Sequence, residues 1–164
     1  MLGKINIFRI IRDHFRTFRS IRNGKIILEE IFIFWILPIL IGVYIVILEK
    51  YRFDKEYINI LIASLSILAG FLFNLLAMIF GFMDKLQANA NDDVKIALTK
   101  EIHSNVSFCI LLSIVCIIGL LLCNLRINWL TTLFNVIGVS GSIMFFLTLI
   151  MILKRIYIIM SKEV

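Results

Sequence analysis

The chain has 164 residues, 61% of them hydrophobic, a mean hydropathy of +1.01 and a net charge of +6. A soluble domain is about half apolar, so this composition excludes an ordinary water-soluble globule. Only 17% of the residues are charged and they cluster, leaving runs of the length, about 20 residues, that a helix needs to cross about 30 Å of hydrocarbon.

The first segment, Phe8 to Arg22, reads FRIIRDHFRTFRSIR. Phe8, Ile11, Phe15, Phe18 and Ile21 recur at helical spacing and form one stripe. Arg9, Arg12, Arg16, Arg19 and Arg22 repeat that spacing one residue later, a second stripe about 100° around the helix. Asn23-Gly24 supplies a helix stop. Residues 1–25 are therefore predicted to form a basic amphipathic helix in the cytoplasmic interface. Its rings would enter the acyl boundary and its guanidinium groups would meet anionic lipid phosphates. Packing on the chain's own cytoplasmic hairpin is the alternative. Nucleic acid is not an expected partner, because the Phe/Ile stripe would then stay exposed. The basic residues continue to Lys25 with no short apolar core and cleavage site after them, so the first span is expected to be retained.

Residues 26–164 read as one membrane domain with spans at about 31–48, 58–82, 106–125 and 129–153, none with an internal Lys, Arg, Asp or Glu. In the first span, Pro38 removes the amide that would bond the Phe34 carbonyl and should bend the helix. In the second, Ala63, Ser66, Gly70, Asn74, Ala77 and Gly81 form a stripe of small and polar residues. Such faces let helices approach closely in lipid, and Asn74 is its strongly polar member near mid-membrane. Residues 83–105 are expected to carry spans two and three into the cytoplasm as a helical hairpin. Its tip would lie near Asn89 to Asn91, with Asp92 or Asp93 capping the return. In the third span, Asn105, Cys109, Cys116, Gly119 and Cys123 share a seven-residue lattice, and the cysteines are read as small packing residues. The Arg126–Asn128 link forces spans three and four into a hairpin. In the fourth span, Thr131, Asn135, Gly138 and Ser142 form a stripe like that of span two.

Seven Lys and Arg precede the first span, three lie in the second connection and three follow the last span, against four on the other side. Positive residues remain inside, which predicts an inner-membrane protein with both termini cytoplasmic. Tyr51, Tyr57 and Trp129 fall at the expected outer boundary and Tyr157 at the inner one, where aromatic anchors belong. The predicted fold is an all-α integral membrane protein, four transmembrane helices in an antiparallel bundle behind the basic amphipathic helix.

No nucleophile, phosphate-loop or metal-spaced motif is present, so neither catalysis nor a cofactor or metal is expected. Its Ile-, Lys- and Asn-rich composition suggests an AT-rich bacterial genome. Small bacterial four-span proteins of this kind include pore-forming and membrane-perturbing effectors, among them effectors of anti-phage defence. The expected function is that of an oligomeric effector, with Ser66, Gly70, Asn74, Ala77, Gly81, Asn135, Gly138 and Ser142 at a pore or helix interface. The alternative is a non-catalytic anchoring subunit that recruits a soluble cytoplasmic partner. Both rest on architecture alone.

Overall fold

A computed structural model describes residues 7–19, 27–48, 54–88, 93–123 and 128–161. Ile21, Arg22, the Asn23-Gly24 stop, the Asn89–Asn91 tip and Asp92 lie outside them. The described residues form α1 (Ile7–Arg16), α2 (Leu28–Ile31), α3 (Leu37–Val43), α4 (Lys55–Ala88), α5 (Asp93–Leu122) and α6 (Asn128–Ser161). Two π turns flank α3: Phe32–Ile36 joins α2 to it, and Tyr44–Leu48 follows it. Four helices are long and apolar enough to cross a membrane: Leu28–Leu48, Lys55–Met83, Lys95–Leu122 and Trp129–Ser161.

α1 closes at Arg16, short of the length its apolar spacing predicts. The hydroxyl of Thr17 donates to the His14 carbonyl at 2.7 Å. The amides of Thr17, Phe18 and Arg19 then bond three residues back, to His14, Phe15 and Arg16. This tightened turn satisfies the last carbonyls and ends the helix. Phe18 and Arg19 therefore lie beyond the helix and not on its continuing stripes.

Directly ahead of Pro38 the first span contains the π turn Phe32–Ile36. The carbonyls ahead of Pro38 cannot be served by an α bond to it. The Leu37 amide reaches back to Phe32, one residue further than an α-helix allows.

Three helices are seamed by seven-residue repeats. Ile58, Leu65, Leu72 and Ile79 line α4; Ile102, Cys109 and Cys116 line α5, with Cys123 continuing the repeat just past its end; Phe145, Ile152 and Ile159 line α6; all belong to one core cluster. A seven-residue period keeps one face turned to its neighbour over the whole length. α5 and α6 pair along their length: Glu101 meets Arg155, Cys109 meets Phe145, Cys116 meets Gly141, and Cys123 meets Asn135. Positions rise along α5 as they fall along α6. Span one packs on α6, while among the described residues α4 packs on α5 alone. The helical bundle is thus a row, with α5 and α6 at its centre and α4 and α3 at its flanks.

Small residues set the closest approaches. Gly42 of α3 lies against Ser140 of α6, and Gly141 lies against the Cys116 sulfur. Any side chain larger than hydrogen at either position would collide with its neighbour.

Candidate functional site

The row arrangement places the two polar stripes in different surroundings. Asn135, Gly138 and Ser142 are buried within the chain. The Asn135 amide donates to the Thr131 carbonyl at 2.9 Å, and its oxygen accepts from the Cys123 thiol at 3.8 Å. In α4, Ser66, Gly70, Asn74, Ala77 and Gly81 are all exposed. A Cβ built on Gly70 or Gly81 meets nothing within 4 Å, and Ser66 spends its hydroxyl on its own helix, at the Ile62 carbonyl, 2.7 Å away. The span-four stripe is therefore internal packing, and the span-two stripe is an open face.

A second cluster gathers where α1 meets α5 and α6. His14 and Phe18 are completely buried. The His14 ring stacks on Phe108 of α5, with centroids 3.8 Å apart and planes 5° from parallel. Phe18 meets its edge at 4.9 Å, and Phe15 stacks on Trp35 at 4.5 Å. Nδ1 of His14 lies 2.8 Å from Oδ1 of the fully buried Asn105. The Thr17 hydroxyl is 3.0 Å from the same oxygen, but its single proton serves the nearer His14 carbonyl. From α6, Nη2 of Arg155 donates to the Thr17 carbonyl at 2.9 Å. Its Nη1 lies 3.1 Å from Oε2 of Glu101 on α5, both side chains being mostly buried. Burial, with the Arg155 charge as a smaller contribution, holds His14 down to about pKa 4 against the partial support of its Asn105 bond.

The seat of α1 therefore differs from one lying wholly in lipid. Phe8 is 83% exposed, Ile11 is half-buried and Phe15 is covered on one side by Trp35. Arg9, Arg12, Arg16 and Arg19 are exposed, and Asp13 lies 3.6 Å from Arg9 and 3.5 Å from Arg16. The arginines lie on the exposed side of this segment, while the face through Ile11, His14 and Phe18 packs on the chain. Ring burial alone does not choose between these seats, because acyl chains and a protein groove each contribute at most about 1.5–3 kcal/mol per ring. The choice rests on what lipid lacks: aromatic pairs, each about 0.5–1.5 kcal/mol, and the hydrogen bond from a charged arginine, about 1.5–3 kcal/mol.

His14, Thr17, Glu101 and Arg155 were not singled out by sequence reasoning, although one signal was present. Ile11, His14 and Phe18 step by 3 and 4, so the histidine sits between two apolar residues at helical spacing. The other histidine, His103, meets Phe80 of α4 edge-on at 5.1 Å. All three cysteines are free and buried on the α5 face that meets α6. Among known proteins, no family model matches the chain, and no curated protein or solved structure matches it.

Proposed function

We propose that this is an oligomeric effector of a bacterial inner membrane, whose assembled spans form or open a permeation path. Its four spans run antiparallel, both termini are cytoplasmic, and the outward arginines of α1 rest on anionic lipid. The observation that carries this reading is the open face of α4. An amide in hydrocarbon without a partner costs about 1–3 kcal/mol by protein mutational measures. Polar groups at membrane depth accordingly face a neighbouring helix or a water-filled path. Asn74 lies on the outer side of the flanking helix, beside two glycines with nothing over them. A second copy of the chain, packed on this stripe, supplies both the close approach and the polar partner.

Asn74→Leu separates packing from permeation. An interhelical bond of this kind contributes about 0.6 kcal/mol and at most about 1.7, so the mutant should assemble almost as well as wild type. If a ring of Asn74 residues wets the path, leucine turns it into a dry hydrophobic constriction. Ion flux from liposomes, normalised to oligomer, should then fall to background in Asn74→Leu. Equal flux per oligomer for both proteins removes Asn74 from the path. No flux from either, with assembly intact, favours the anchoring subunit that recruits a soluble partner.

A further inference from the structure

We propose that α1 is a pH-sensitive latch, docked on α5 while the buried His14 ring is neutral and released when that ring takes up a second proton. The inference is independent of whether the chain conducts ions.

The attachment of α1 is narrow. Among the described residues its backbone comes close to α5 alone, its side-chain contact with span one runs through Trp35, and its polar ties are the His14–Asn105 bond and, just past the helix end, the Arg155 bond to the Thr17 carbonyl. The ring is held on one face by Phe108 and at its edge by Phe18, with Trp35 6.2 Å away. Nδ1 has its partner in Asn105, but Nε2 is buried and has none. A neutral ring leaves only a lone pair at Nε2, at modest cost. A protonated ring places an N–H carrying part of a full charge there, among aromatic side chains, with no acceptor.

The surrounding charges do not rescue it. From α6, the Arg155 guanidinium is the charge that acts on His14, and it repels an imidazolium. From α5, Glu101 is engaged with Arg155. From α2, Glu30 acts on Glu101 and Arg155. On α1 itself, Asp13 lies within ion-pair distance of Arg9 and Arg16. The face of Phe108 favours a cation modestly, which is outweighed by the loss of water around Nε2.

Release returns the ring to solvent, where it titrates near 6.5, whereas the docked ring holds out to about 4. Docking is therefore at full strength above about pH 6.5 and weakens as pH falls. The ratio of released to docked α1 should rise by roughly 150-fold by pH 4, half of the limiting factor set by the range between the two titrations.

The test uses the full chain in nanodiscs, with spin labels at Arg12→Cys and Lys100→Cys, both on exposed positions. The distance between them is followed from pH 7.5 to 4. The short docked distance should give way to longer ones in the otherwise unmodified chain. His14→Phe keeps the stack and cannot titrate, so it should remain docked throughout. Where phenylalanine disturbs the seat at neutral pH, His14→Gln, which retains a bond to Asn105, serves the same purpose. Glu101→Gln should still respond to acid. A docked distance that persists to pH 4 in the otherwise unmodified chain overturns the latch. So does an acid response that survives both His14 variants, or one that disappears in Glu101→Gln, which would make Glu101 the sensor.

Discussion

Glu101→Leu should destabilise the helix bundle by about 3 kcal/mol, because it strands the Arg155 guanidinium among largely buried surroundings and breaking a buried ion pair costs about 3–5 kcal/mol. The low end applies because the long arginine side chain can bend its head toward the nearby boundary and recover some solvation. The reverse substitution, Arg155→Met, should cost less. A carboxyl group left without its cation can take up a proton and become neutral, while a guanidinium cannot lose one. Replacing both, Glu101→Leu with Arg155→Met, removes the unpaired charge and should return the α5–α6 contact close to wild type. It also deletes the bond from Arg155 to the Thr17 carbonyl, so α1 should still be loosened. Unfolding titrations in mild detergent, completed as a double-mutant cycle, measure these effects. Equal costs for the two single variants would mean that the pair is effectively solvated.

Gly141→Ala should cost about 1–3 kcal/mol, the usual penalty for adding a methyl group to a packed interior, and Cys116→Ala should repair it. The added Cβ would collide with the Cys116 sulfur. Beyond that sulfur the nearest atoms are Cβ of Cys116 at 3.9 Å and Cδ1 of Leu112 at 4.0 Å, both ordinary contacts. With the sulfur removed, the new methyl group occupies its space, and alanine's better helix propensity, up to about 1 kcal/mol over glycine, gives the double variant at least wild-type stability. Gly42→Ala provides the contrast. Its collision involves the Ser140 hydroxyl, but the Ser140 Cβ and backbone amide also stand at 3.1 Å. Ser140→Gly would remove the side chain and leave the backbone, so rescue should be only partial. The same unfolding titration applies, and a Gly141→Ala variant as stable as wild type would show that α5 and α6 separate freely at that point.

The parts of this architecture that were legible in the sequence are those governed by local chemistry. The uncharged apolar runs mark the four long helices, and the cysteine lattice of α5 marks a face that meets another helix. What was not legible is which face meets which. In a chain so uniformly apolar, Phe8 and Phe18 are the same residue type in the same stripe, yet one is 83% exposed and the other fully buried. The difference arises from long-range ties, His14 with Asn105 and Arg155 with the Thr17 carbonyl, and from a helix that ends one turn early. Likewise the small-residue stripes of spans two and four look alike as strings. α6 lies at the centre of the row and α4 at its flank, so one stripe is internal and the other open. An amphipathic count also treats His14 as a neutral bystander, although its position on the buried face makes its protonation state decisive.

The central claim, that copies of the chain associate through the open face of α4, is tested most directly by cysteine cross-linking in intact membranes. Gly70→Cys and Ala77→Cys place thiols on that face. A Cβ at Gly70 meets nothing in its own chain, so the substitution leaves the fold undisturbed. The native cysteines are buried against α6 and provide a silent background. Phe146→Cys, exposed on α6, is the control for random collision. A disulfide requires Cα atoms about 4.4–6.8 Å apart, a separation that small-residue helix contacts reach. Mild oxidation should produce covalent dimers from Gly70→Cys and Ala77→Cys and few from Phe146→Cys. No dimer from either α4 variant, or dimers in equal yield from Phe146→Cys, would contradict the account.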